Sequence, residues 1–137
     1  MIEGMHSEVR KVMVKKVVTV SPKQKLAEAA RLMERKRIGS VVVTKDSRVV
    51  GIITERDFIR IASAGYDTKK SLVGDYMTRN PLVCKPSTKI IEVLGLMSKK
   101  RVRHLPVVAG NRKLVGIVTL RDLAAASNLI ALYLYRI

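Results

Sequence analysis

Gly51-Ile52-Ile53-Thr54-Glu55-Arg56-Asp57 returns 65 residues later as Gly116-Ile117-Val118-Thr119-Leu120-Arg121-Asp122, with five of the seven residues unchanged. Turn chemistry alone rarely keeps Thr, Arg and Asp at one spacing behind two separate apolar runs, so the chain reads as one structural unit used twice. Upstream of the heptad the match continues at an offset of 64: Pro22 answers Pro86, Lys25 answers Lys89, Glu28 answers Glu92, Met33 answers Met97, and Lys36-Arg37 answers Lys100-Arg101. The second copy therefore carries one extra residue between its methionine and its heptad.

Each copy reads as strand, helix, strand, strand, helix. Residues 17–20 and 82–84 are short apolar or β-branched runs that stop just before a proline, as strands often do. The period then changes. Leu26, Ala29, Ala30 and Met33, like Ile90, Val93, Leu94 and Met97, fall at i, i+3, i+4, i+7 and make one apolar helical stripe. Runs 41–43 and 105–108 are predicted as second strands and 49–53 and 114–118 as third strands. Asp46-Ser47 and Gly110-Asn111 lie in hairpin loops between them. Second helices are expected over 54–63 and 119–132, with 64–70 as the linker.

A chain of 137 residues with 47% hydrophobic content can bury one shared core. Each copy alone is near the size at which an isolated core becomes marginal, so the halves are expected to pack on each other across a pseudo-two-fold axis. Lys and Arg number 27 against 11 Asp and Glu, a net charge of +16, which favours anionic partners: nucleotides, nucleic acid or an acidic protein. The single cysteine, Cys84, lies in an apolar run and reads as a small core residue in a reducing, cytoplasmic setting. The first ten residues lack an apolar run behind a basic start, so no signal peptide is expected. The apolar tail 129–134 is far short of the roughly 20 residues that span a bilayer. It reads as a helix end that packs, in a homodimer or against a partner.

Two histidines and one cysteine are too few for a Cys/His metal cluster, and no H-E-x-x-H, G-x-S-x-G or G-x-x-x-x-G-K-[ST] sequence occurs. Binding without turnover is the expectation: not an enzyme, and no cofactor.

The repeated order, closed each time by G-x-x-T-x-x-D, resembles the cystathionine β-synthase (CBS) domain, and two copies in tandem resemble a CBS pair, or Bateman module. Tyr76-Met77-Thr78-Arg79-Asn80-Pro81 at the entry to the second copy and Arg101-Val102-Arg103-His104-Leu105-Pro106-Val107-Val108 in its middle carry the same resemblance. It implies an α/β (α+β) fold of two tandem β-α-β-β-α repeats, 9–64 and 72–132. It also implies a regulatory sensor that binds AMP, ADP, ATP or S-adenosylmethionine in clefts between the repeats.

Thr54 and Asp57, like Thr119 and Asp122, stand where a strand gives way to a helix, which is the pattern of a capping box. A carboxylate at a helix N-terminus can also accept hydrogen bonds from the vicinal hydroxyls of a ribose. The resemblance implies that second role for Asp57 and Asp122. Arg56 and Arg121 place a cation against the positive end of the helix dipole, an arrangement that a phosphate would compensate and an ordinary ion pair would also explain. By resemblance Arg103 and His104 would contact phosphate and Ile38 and Val102 would flank adenine. Two solvated charges and two plain core residues are the alternative. The first copy has Gly39 and Ser40 in place of Arg103 and His104, so the copies read as matched for ribose and unmatched for phosphate. Gly51 and Gly116 read either as close ligand approach or as tight packing. Two other classes of function stay open: nucleic-acid binding through 35–37, 69–70, 99–101 and 112–113, and a structural adaptor that docks through the tail 129–134.

Overall fold

The computed structural model describes residues 2–126. In chain order it holds a short helix α1 (Ile2–Met5), a 3-10 turn (Val9–Lys11), strand β1 (Thr19–Val20), helix α2 (Leu26–Lys36), strands β2 (Ser40–Lys45) and β3 (Arg48–Thr54) and helix α3 (Glu55–Ser63). There follow helix α4 (Val73–Tyr76), strand β4 (Thr78–Arg79), helix α5 (Ile90–Lys100), strand β5 (His104–Ala109), strand β6 (Lys113–Thr119) and helix α6 (Leu120–Ala126). The β-α-β-β-α order of the sequence reading is complete in the first copy, and the second copy shows its helix, two strands and helix, in a mixed α and β fold. The tail 129–134 and the last part of the helix expected over 119–132 lie outside the described residues.

Two packed units form. One holds Val17–Pro81 with Arg112–Leu114, and the other holds the remaining described residues. In the first, the stripe Leu26, Ala29 and Met33 of α2 is buried with Val41, Val43 and Ile53 from β2 and β3. In the second, Ile90, Val93 and Met97 of α5 are buried with Leu105, Val107 and Val118 from β5 and β6. Every residue in the first set has its repeat equivalent in the second.

Each unit also recruits the segment that opens the other copy. Val73 of α4 is buried in the first core and Val9 in the second. β4 pairs antiparallel with β3, setting Thr78 opposite Ile52, and Val14 makes the equivalent bridge to Ile117. Lys25 bridges Leu72, and Glu8 bridges Lys89. An added strand segment satisfies backbone groups that would otherwise line an open sheet edge. β4 and α4 escape sequence reading because two and four residues are too short to show a period. Residues 82–84, expected as a strand, make only one parallel bridge, Cys84 to Val107, where the equivalent β1 forms a two-residue ladder, Thr19 to Val42 and Val20 to Val43.

Local chemistry closes the elements. Arg37 ends α2 in the left-handed region (φ 54°, ψ 47°), with its N–H bonded to Glu34 O and the N–H of Ile38 reaching Met33 O. This is a Schellman motif. Arg101 ends α5 in the same way (φ 55°, ψ 44°), and Val102 N bonds to Met97 O. A side chain in this conformation costs roughly 1–2 kcal/mol, which glycine avoids. Arg37→Gly and Arg101→Gly should each raise stability by about 0.5–1 kcal/mol, the gain being trimmed by the freer unfolded chain. Urea titration of the single variants measures it.

Asp46 and Ser47, with φ of 53° and 65°, form the two-residue loop between β2 and β3. The extra residue of the second copy is taken up in the turn Gly110–Arg112, where Asn111 and Arg112 have φ of 58° and 60°. Arg112 then donates from Nε to Val49 O (3.1 Å) and from Nη2 to Pro81 O (3.4 Å), tying the start of β6 to the first unit.

Candidate functional site

In both copies the heptad runs from the end of a strand into the first turn of a helix. Thr54 is the N-cap of α3, in extended conformation (φ −117°, ψ 170°). Its hydroxyl accepts from Asp57 N (3.4 Å), and Asp57 Oδ2 accepts from Thr54 N (2.8 Å), completing the capping box expected from the sequence. At α6, Thr119 Oγ1 accepts from Asp122 N (3.1 Å) and Asp122 Oδ2 accepts from Thr119 N (3.0 Å). Capping is thus a shown role of both pairs.

The first backbone amide of each helix reaches back to the residue that leads into the neighbouring strand. Glu55 N bonds to Gly39 O (3.1 Å), and Leu120 N bonds to Arg103 O (2.9 Å). This contact brings together what the sequence separates. Arg103 is exposed and His104 half-buried, and the Arg103 carbonyl is tied to Leu120, which lies between Thr119 and Arg121 at the start of α6. At the start of α3 the corresponding positions are Gly39 and Ser40, and Ser40 is buried opposite Thr54. Arg56 and Arg121 are both exposed in the first helical turn. Ile38 and Val102, the residues after the left-handed caps, are half-buried and pack against their respective cores.

The two carboxylates differ beyond the cap. Asp57 is only 5% exposed, and its Oδ1 accepts from Arg60 Nη2 (2.9 Å) and from Thr78 Oγ1 (3.3 Å), while Oδ2 accepts a further bond from Thr54 Oγ1 (3.2 Å). Asp122 is half-buried. The position equivalent to Arg60 is Ala125, and the position equivalent to Thr78 is Val14. Neither side chain can donate a hydrogen bond. Sequence reasoning missed Arg60 and Thr78. The i, i+3 spacing of Asp57 and Arg60 on one helix was a legible signal for the first, and nothing local marks the second.

Gly51 and Gly116 are packing glycines. A Cβ on Gly51 would meet Met77 and the carbonyl of Thr78, and a Cβ on Gly116 would meet Met13 and the carbonyl of Val14. Cys84 is buried, and loss of solvation pushes its thiol up from 9.0 to about 11, so it is held protonated and unreactive near neutral pH. Among the described residues no group of three or more His, Cys, Asp or Glu side chains is placed to hold a metal ion, and no helix is long and apolar enough to cross a membrane. The basic pairs Arg35-Lys36 and Lys99-Lys100 occupy the last turns of α2 and α5, where cations complement the helix dipole without any partner.

The family model for the CBS domain matches residues 9–64 and 73–128. The chain belongs to the CBS-domain family and carries the domain twice in tandem. It is 42% identical over 123 residues to an uncharacterized 17.7 kDa protein of Acidianus ambivalens, covering 89% of this chain and 74% of that one. It is 40% identical over 113 residues to the inosine-5'-monophosphate dehydrogenase of Methanocaldococcus jannaschii, covering 82% of this chain but only 22% of the enzyme. Among solved structures, a CBS domain pair in complex with 5'-methylthioadenosine and S-adenosyl-L-methionine superposes with a TM-score of 0.79 at 27% identity, covering 87% of this chain and 94% of that one.

Proposed function

We propose that this protein is a regulatory module that binds an adenosine nucleotide, such as AMP, ADP or ATP, or S-adenosylmethionine, without turning it over. The observation that carries this reading is the constellation at the start of α6. There Asp122, capped onto Thr119, lies at a helix N-terminus whose first amide is anchored on the residue that bears the exposed Arg103 guanidinium. A carboxylate accepts the hydroxyls of a ribose, and a helix N-terminus with guanidinium groups stabilises a phosphate. The solved CBS pair that holds two adenosine derivatives supports the same ligand class. In this reading Asp122 and Asp57 face ribose, Arg121, Arg56, Arg103 and His104 face phosphate, and Ile38 and Val102 border adenine. The protein acts in the cytoplasm, self-associates, and passes its signal to another protein by favouring one of two states to which the ligand binds unequally.

Calorimetric titration of AMP and ATP into wild type and Asp122→Ala tests the reading. Wild type should give saturable heat, and Asp122→Ala should weaken binding at least tenfold, the size of one charge-assisted hydrogen bond. Identical weak heats from both proteins would refute it.

A further inference from the structure

We infer that Arg60 decides which copy of the heptad takes ligand, by latching the carboxylate of Asp57, and that the second copy is built without that latch. The inference rests on the nucleotide reading above and concerns how the two sites share the ligand.

An ionised carboxylate offers two oxygens with about four acceptor directions. At Asp57 four donors already use them: the amide and hydroxyl of Thr54 on Oδ2, and Arg60 Nη2 and Thr78 Oγ1 on Oδ1. A vicinal diol brings two more O–H donors and must displace some of these. Thr54 N cannot leave without undoing the cap, and Thr78 is held by its strand pairing to Ile52. The hydroxyls of Thr54 and Thr78 can turn away by rotation about a single bond, so the charged donor that competes with the ligand for Asp57 is Arg60. That guanidinium neutralises the negative charge that would draw the ligand's hydroxyls in, yet its side chain is 65% exposed, so it can swing into water when displaced. It is a removable latch rather than a permanent block.

The second copy lacks both Oδ1 donors. Ala125 stands at the position of Arg60, and Val14 crosses Ile117 where Thr78 crosses Ile52. Asp122 keeps the cap bond from Thr119 N on Oδ2, and its Oδ1 meets neither an arginine at the i+3 position nor a threonine from the docked strand. The same copy carries the Arg103 and His104 pair. Carboxylate and basic residues thus favour the same copy, and the expected behaviour is one strong site per chain, at α6, with a site at α3 weaker by roughly tenfold or more.

Exchanging the latch between copies tests this in the full-length chain by calorimetric titration with AMP. Wild type should bind one AMP per chain tightly, and Asp122→Ala should weaken that binding at least tenfold. Arg60→Ala should expose a second site. Arg60→Met, which keeps the aliphatic stem and removes the donors, should do the same and separates the latch from any packing loss. Ala125→Arg should weaken the strong site about tenfold. Two equal sites in wild type, or a stoichiometry that stays at one in both Arg60 variants, would overturn the latch and leave the nucleotide reading intact. Absence of binding from wild type and both Arg60 variants, with AMP and with ATP alike, would overturn the nucleotide reading, and the latch with it.

Discussion

Asp57→Ala is expected to lower folding stability by about 2 kcal/mol and Asp122→Ala by about 1 kcal/mol, although the two residues hold the same place in the repeat. The smaller figure is the ordinary loss of a helix cap, which both variants share. The larger one adds the donors that gather on Asp57 alone. The half-buried Thr54 hydroxyl and the hydroxyl of Thr78, an exposed strand residue, lose their acceptor. The Arg60 ion pair adds little, because its exposed guanidinium is re-solvated once the carboxylate is gone. The bonds share one acceptor group, so their contributions do not add in full. Urea titrations at one pH measure the difference as a shift in midpoint with the slope unchanged. Equal losses in the two variants would show that the internal donors on Asp57 contribute nothing beyond the cap.

Gly51→Ala is expected to cost about 2 kcal/mol, against the usual small gain when a strand glycine becomes alanine. The new Cβ would overlap Met77 Sδ and lie 2.8 Å from Met77 Cγ and 3.0 Å from Thr78 O. The methionine can move, but the carbonyl belongs to a strand paired to β3 at Gly51–Arg79 and Ile52–Thr78. Pushing it away also draws Thr78 Oγ1 from Asp57. Gly116→Ala meets a slightly looser neighbourhood, with Met13 Sδ at 2.7 Å and Val14 O at 3.1 Å, and no threonine bond depends on Val14. Its cost should be nearer 1 kcal/mol. Combining Gly51→Ala with Met77→Ala should recover part of the loss, and a double-mutant cycle on thermal or urea unfolding gives the coupling directly. Full additivity would mean that the side chain of Met77 is not what the Cβ meets.

Much of the site was legible because helix capping is local. Thr54 and Asp57 lie three residues apart at a strand-to-helix junction, so their mutual bonds follow from backbone geometry once α3 forms. The apolar stripes of α2 and α5 were legible for the same reason, since a helix converts sequence spacing into one face. Gly51 left two readings open in the sequence, ligand approach or packing, because a glycine shows only that space is short. What fills that space is Met77, 26 residues further on. Arg103 beside Asp122 was suggested by resemblance alone, and the bond from Leu120 N to Arg103 O supplies the physical connection.

The sequence by itself determined that one β-α-β-β-α unit is used twice, that each heptad caps a helix, and that Arg103 and His104 make the copies unequal. All of these depend on residues close together in the chain or on comparison of one copy with the other. Only the tertiary structure decided that each copy borrows the opening segment of its counterpart, because bridges such as Ile52–Thr78 and Val14–Ile117 join residues whose pairing leaves no periodic trace. That exchange delivers a threonine to Asp57 and a valine toward the other heptad. Two carboxylates that look identical in the repeat therefore differ in how many of their acceptor positions are already taken.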